Sequence, residues 1–253
     1  MSRSGFSALV SFDLKTYKGH CQSFGLPAPI VARGKSNLNS EQLSLGNICE
    51  NRPYLIGVDE VGRGCLAGPV VSAAVALPFA ALDKELTANL AELDDSKKLD
   101  AATRERLSSL LRSCARFAIA SCSAAEIDEM NILNASLRSM DLAVTALLKD
   151  LALASDGALI LVDGNKPIKN GSYKQLTVIK GDSHSASIAA ASVIAKVHRD
   201  AHMKELDKCY PAYGFAGHKG YPAISHRKAI AEVGPCPEHR TSFLVLGDRM
   251  GPL

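Results

Sequence analysis

Four carboxylates share a setting that can do chemistry: each follows a short apolar run and lies beside glycine. Asp59 and Glu60 stand where Leu55-Ile56-Gly57-Val58 runs out, just ahead of Val61-Gly62-Arg63-Gly64. Asp163 closes the run from Ala158 to Val162 and is followed by Gly164-Asn165. Asp182 comes after Leu176 to Ile179 and Lys180-Gly181, at the start of an alanine-rich segment. If the three runs are neighbouring strands their ends converge, and open α/β sheets place sites at strand ends. Four carboxylates in one cleft repel one another without counter-charge. Divalent cations with oxygen ligands supply it, and Mg²⁺ is the usual choice where phosphate is the substrate. Two such ions can activate a water and stabilise the departing 3′-oxygen of a phosphodiester. Taken singly, each acid also reads as a turn former or helix cap, Asp182 above all. As a set they are harder to dismiss, because adjacent acids leaving a buried strand are costly unless something pairs them.

Other polar segments fit a phosphate-bearing ligand. Gly62-Arg63-Gly64 lacks the length and the Gly-Lys-Ser/Thr ending of a P-loop. Its glycines still allow close backbone approach, and Arg63 is a forked donor for phosphate. Asp95-Ser96-Lys97-Lys98 reads either as a capped, solvated loop or as a phosphate contact through Lys97. Further on, His218-Lys219-Gly220-Tyr221 and Glu238-His239-Arg240-Thr241-Ser242-Phe243 gather basic groups around a few aromatics. A tyrosine such as Tyr221 can stack on a sugar or base while its neighbours hold phosphates. His198 and His202 lie one helical turn apart without the acid of H-E-x-x-H, and read as helix-surface residues.

The elements that must position these groups follow from periodicity. Leu55–Val58, Val70–Leu77, Arg116–Cys122, Ala158–Val162 and Leu176–Ile179 read as strands. Asp100 caps a helix running to about Cys114. Ser123-Ala-Ala-Glu126 is a capping box that opens a long helix to about Leu153. Two more helices are read over about Ser185–Asp207 and Ser225–Val233. Strands alternating with helices predict one α/β domain over 53–253, with a largely helical C-terminal part. Residues 1–52, rich in Ser, Gly, Asn and Pro, show no sustained period and read as an extension or loosely packed arm of unknown role.

Composition narrows the class. The chain has 253 residues, 47% hydrophobic and 22% charged, which excludes disorder and a disulfide-dense mini-protein. No apolar run approaches the roughly 18 residues of a membrane span. Seven cysteines without a C-x-x-C pair read as small buried hydrophobes in a reducing, cytoplasmic setting. The net charge is only +3, and aromatics are 5% with no tryptophan, so a stacking platform for bases is not expected.

In this order the motifs resemble the type 2 ribonucleases H, the bacterial ribonuclease HII family. The matching pieces are Gly57 to Gly64, Asp95 to Leu99, Val162 to Asn165, Lys180-Gly181-Asp182 leading into Ser187 to Val197, and Gly214-Phe215 through Tyr221 to Phe243. The resemblance implies an RNase H-like fold, a mixed five-stranded sheet flanked by helices. It implies endonucleolytic cutting of RNA in RNA–DNA hybrids and at single ribonucleotides within duplex DNA, as a monomer. It gives Asp59, Glu60, Asp163 and Asp182 the part of holding two Mg²⁺ or Mn²⁺ ions. Gly62, Arg63 and Gly64 match the loop that senses the ribose 2′-OH, and Tyr221 the tyrosine that packs on the neighbouring deoxyribose. With those four acids assigned to metal, the rest of the chain carries +7, enough to favour a phosphate backbone. Ala223 stands where the family often has Thr, and residues 1–52 have no counterpart in shorter members. Within them, Gln42-Leu43-Ser44-Leu45-Gly46 resembles the sliding-clamp-binding pentapeptide, with Gly46 in place of its final aromatic. Other readings remain: a related nuclease such as a junction resolvase, which would cut DNA lacking any 2′-OH, or a non-catalytic hybrid-binding module.

Overall fold

The computed structural model describes residues 5–23, 54–79, 82–169 and 171–245. Its centre is β1 (Tyr54–Val61), flanked by β2 (Val70–Ala76) and β4 (Ala158–Asp163), with β3 (Arg116–Cys122) and β5 (Lys174–Val178) at the edges. The order is β3-β2-β1-β4-β5. β1 pairs antiparallel with β2 and parallel with β4, so the sheet is mixed and five-stranded, as the resemblance implies. β1, β2 and β4 are covered on both faces and accordingly read as near-continuous apolar runs.

Each face has its own helix. α5 (Ile132–Asp150) packs Met140, Val144 and Leu147 on Ile56, Val58, Ile160 and Val162. α6 (Ala186–Cys209) covers the opposite face together with α3 (Ala101–Cys114). The alanines of α6 at 186, 189, 190, 191 and 195 are fully buried. Their small side chains let the helix lie so close to β1 that a Cβ on Gly57 would stand 2.2 Å from the carbonyl carbon of Ser187. The C-terminal part is helical: α7 (Phe215–His218), α8 (Ile224–Val233) and α9 (Thr241–Val245). α2 (Lys84–Asn89) and α4 (Ala124–Met130) complete the elements used below.

Three expectations need correcting. The long helix opened by the Ser123–Glu126 capping box breaks at Asn131, whose φ of 69° ends α4 and whose side chain caps α5 through the Asn134 N–H. Asn tolerates positive φ better than most residues and is a good N-cap, so one residue serves both ends. The fifth strand is Lys174–Val178, shifted from Leu176–Ile179 and not buried: Leu176 is 46% exposed and Ile179 68%. Among the described residues it is an edge strand, and its apolar residues mimic a core run. Third, part of the N-terminal arm is regular: Gly5–Ser23 form helix α1, which buries Phe6, Leu9, Asp13 and Tyr17. Their spacing marks one helix face, but a charged residue within that face hides the period from a hydrophobicity reading. Gln42–Gly46 lie outside the described residues. Of the five cysteines whose side chains are described, Cys65 and Cys122 are buried, Cys114 and Cys236 half-buried and Cys209 exposed, so the buried-hydrophobe reading holds only in part.

Candidate active site

Strand register brings the acids together. Val58 pairs with Val162 across the parallel β1–β4 ladder; one step on, β4 ends in Asp163, while Asp59 continues β1 opposite Ala73 of β2. Alternation points both side chains to the α6 face. β5 then leads through Lys180, at φ 54°, into a single 3₁₀ turn, Gly181–Ser183, which delivers Asp182 just ahead of α6. Asp163 accepts from the Gly181 N–H at 2.6 Å, tying strand end to turn. Glu60, the next residue of β1, points to the opposite face of the strand and pairs with Arg63 at 3.2 Å.

The carboxylates behave as a crowded group. Burial first, then repulsion from Glu60 and Asp163, holds Asp59 well above the usual carboxylate range, against a hydrogen bond with Ser192. Burial also raises Glu60, opposed by Arg63. Asp182 is raised by burial, then by Asp95 and Asp163, with Lys97 pulling it down. Among the described residues no three His, Cys, Asp or Glu side chains close round one point. The acids are thus neighbours by charge rather than a finished cage. The donor set is all-oxygen and short of cations, which suits a hard divalent ion.

The loop 94–98 belongs here. Ser96 Oγ lies 2.8 Å from Ser192 Oγ on α6, and Lys98 Nζ reaches Ser183 Oγ at 3.2 Å. Lys97 is exposed above Asp182 in charge terms, as a phosphate contact would need. Asp95, one of a polar cluster in the sequence, is the acid whose charge most raises Asp182. Only folding reveals it, because its strand-end signal is absent.

The glycine-rich turn and Tyr221 are brought together by two arginines. Arg199 and Arg240 are fully buried, and among the described residues backbone carbonyls rather than carboxylates satisfy them. Arg199 donates to Pro69 O, Ala67 O and Lys219 O at 2.8–3.1 Å. Arg240 donates twice to Gly68 O and once to Arg63 O. The 62–69 loop is moulded on these guanidiniums, and Gly62, at φ +97°, leaves room for Arg199 Nε where a Cβ would stand 2.3 Å from it. Leu66 N–H bonds Gly220 O at 2.8 Å, fixing the loop to the Tyr221 turn. Tyr221 is 37% exposed, with Lys196 Nζ 5.6 Å from its ring centroid.

Two further histidines hold that tyrosine. The Cys236 N–H donates to His239 Nδ1 at 3.0 Å, which puts the His239 proton on Nε2. His239 Nε2 then donates to His226 Nε2 at 3.0 Å, leaving the His226 proton on Nδ1 for Tyr221 O at 2.9 Å. Both rings are neutral, and burial lowers both, His226 to about 4. The expected basic cluster around Tyr221 therefore needs correction: His239 and Arg240 point inward, and Thr241 and Ser242 donate to Asp128 of α4 rather than facing a ligand. His198 and His202 are exposed on α6, as expected. Along α6, Ser192, Lys196 and Arg199 share one face, so the acid cluster and Tyr221 hang on one rod about 10 Å apart along its axis.

The family model for ribonuclease HII matches residues 56–245, which hold the motifs from Gly57 to Phe243. The chain belongs to the ribonuclease HII family. The Geobacter metallireducens ribonuclease HII is 48% identical over 197 residues, 78% of this chain and 86% of that one. Among solved structures, that of the PCNA:RNase HII complex from Archaeoglobus fulgidus matches with a TM-score of 0.61 at 23% identity, covering 79% of this chain and 98% of that one. Bst-RNase HIII in complex with Mn²⁺ matches at 0.58 and 18% identity, covering 89% and 78%. At such identities the two structures speak for the fold. Membership of the ribonuclease HII family makes the chain a ribonuclease H hydrolase, as its motifs imply. Helix α1 lies outside the stretch that the family model matches.

Proposed function

We propose that the chain cuts the RNA strand of RNA–DNA hybrids, and cuts at single ribonucleotides in duplex DNA, leaving 5′-phosphate and 3′-OH ends. Asp59, Glu60, Asp163 and Asp182 would hold two Mg²⁺ or Mn²⁺ ions. The observation that carries this is the convergence of Asp59 on β1, Asp163 at the end of β4 and Asp182 on the turn tied to Asp163 through the Gly181 N–H; burial and mutual repulsion raise Asp59, Glu60 and Asp182. When bound, the ions would supply an activated water and a stabilised 3′-oxygen. The Mn²⁺ found with the HIII structure supports the choice of ion.

The chain's own groups position the rest. Ser192 orients Asp59, and the Gly181 N–H orients Asp163. Gly62-Arg63-Gly64, held on Arg199 and Arg240, faces the 2′-OH of the ribose, the one local feature besides the thymine methyl that separates RNA from DNA. Tyr221 packs on the adjoining sugar. Beside it a groove of about 640 Å³ between α3, α6 and α7 is lined by Arg104, Arg112, Lys196, Lys204 and Lys219, with only Glu105 and Asp200 as acids. That excess of cations suits a phosphate backbone. The PCNA bound to the archaeal relative supports a clamp contact through Gln42–Gly46, and the unpaired cysteines support a cytoplasmic setting. Among the described residues no helix is long and apolar enough to cross a membrane.

The test compares a duplex carrying one ribonucleotide with its all-DNA twin, with and without Mg²⁺. Cutting confined to the ribonucleotide and to Mg²⁺ is expected. Equal cutting of both duplexes would refute 2′-OH sensing, and cutting in excess chelator would refute the metal mechanism.

A further inference from the structure

Asp13 is the one acid of α1, and it is completely buried, which is expensive unless the carboxylate is well used. Its Oδ2 accepts from both the N–H and the Oγ of Ser187 at 2.8 Å, and Ser185 and Ala186 at the same helix start also favour its charged form. Ser187 is the second residue of α6, so a carboxylate from another helix caps the α6 N-terminus, where negative charge is favoured. Burial outweighs these hydrogen bonds and lifts Asp13 to about 6. α1 touches the Asp182 turn again at Phe12, whose ring lies 6.5 Å from that of His184.

Ser187 is gripped from the other side as well. Gly57 of β1 lies directly against its backbone, two residues before Asp59. Asp182 is linked to the same helix end, because the Ser185 N–H bonds Gly181 O at 2.7 Å. The start of α6 is therefore clamped between Asp13 and the strand that carries Asp59. We infer that Asp13 is a positioning residue for the acid cluster: by holding Ser187 against Gly57 it sets the spacing of Asp182 from Asp59, and hence the affinity for divalent metal. A helix outside the family-matched stretch would thus tune the shared site. The inference rests on the metal reading proposed above.

The experiment titrates the full-length chain with Mn²⁺ alone, without nucleic acid, by calorimetry at a temperature where every variant is folded. Asp13→Ala is expected to bind Mn²⁺ about tenfold more weakly, the low end for partners that orient metal ligands. Asp13→Asn, which keeps one acceptor, should fall between. Leu147→Ala, a core truncation on the far face of the sheet, should lower Tm without changing Mn²⁺ affinity. If Asp13→Ala does not fold, Asp13→Asn carries the same comparison. Affinity unchanged in the Asp13 variants, with Mn²⁺ bound normally by the unmodified chain, would overturn the positioning role and leave the metal reading standing. An equal loss in Leu147→Ala would overturn it as well. Failure of the unmodified chain to bind Mn²⁺ would overturn both.

Discussion

Gly57→Ala measures how tightly the fold couples β1 to α6. The added methyl carbon would lie 2.2 Å from Ser187 C, 2.4 Å from Ile188 N and 2.5 Å from Ser187 O. All three are backbone atoms, so no rotamer can relieve the clash. Restoring ordinary contact of at least 3.4 Å to the nearest atom requires helix and strand to part by about 1.2 Å. Neither yields easily, because Gly57 is paired on both sides, to Val75 and Leu161. Overpacking of this kind costs about 1–3 kcal/mol. At roughly 2–4 °C per kcal/mol for a chain of this size, Tm should drop by about 2–12 °C. The same displacement carries Asp182 away from Asp59, and misplacement by about 1 Å costs on the order of 10²-fold in rate. Thermal melts by circular dichroism and single-turnover cleavage of a ribonucleotide-containing duplex read both effects. Gly64→Ala is the matched control for stability, since its Cβ meets nothing within 4 Å. A Gly57→Ala variant with unchanged Tm and unchanged rate would refute the close approach and the coupling drawn from it.

Asp59→Asn should abolish cleavage while leaving hybrid binding, measured by gel shift; it should also raise the metal-free Tm, because burial and repulsion from Glu60 and Asp163 disfavour the charged Asp59 in the fold. Retained Mg²⁺-dependent cutting would contradict the metal role. Arg240→Lys removes a fork that serves Gly68 O and Arg63 O together, each bond to a charged donor being worth about 1.5–3 kcal/mol. Tm should fall by several degrees and KM for a ribonucleotide duplex should rise, whereas a wild-type melt would show that the loop does not depend on it. His226, lowered to about 4 from an unfolded value near 6.5, takes up its proton more readily in the unfolded chain. Its contribution is complete above pH 6.5 and is lost as pH falls towards 4, at up to about 1.4 kcal/mol per pH unit. Melts across that window should show a shallower acid slope in His226→Asn; identical slopes would refute the neutral, proton-sharing pair.

What the sequence determined by itself was the chemistry and the strands that bear it. Apolar runs ending in Asp59-Glu60 and Asp163 are legible because a buried strand and the acid at its end are consecutive residues, and the ordered motifs from Gly57 to Phe243 name the family. Capping boxes and N-caps at Ser123 and Asp100 are equally local, and both formed as read. Tertiary structure decided which polar groups face the ligand and which face the core. Arg240 and His239 look like ligand contacts in a basic motif, yet they turn inward: Arg240 donates to Gly68 O and Arg63 O, and His239 bonds His226, which holds Tyr221 O. Asp95 gains its place beside Asp182 through the Ser96–Ser192 contact, across 96 residues of chain. Asp13 shows the same limit from the other direction: a charge on an otherwise apolar helix face reads as solvent-exposed until the start of α6 is there to receive it. Local patterns record what a segment can form alone, whereas the partner of a buried charge is set by segments far away in the chain.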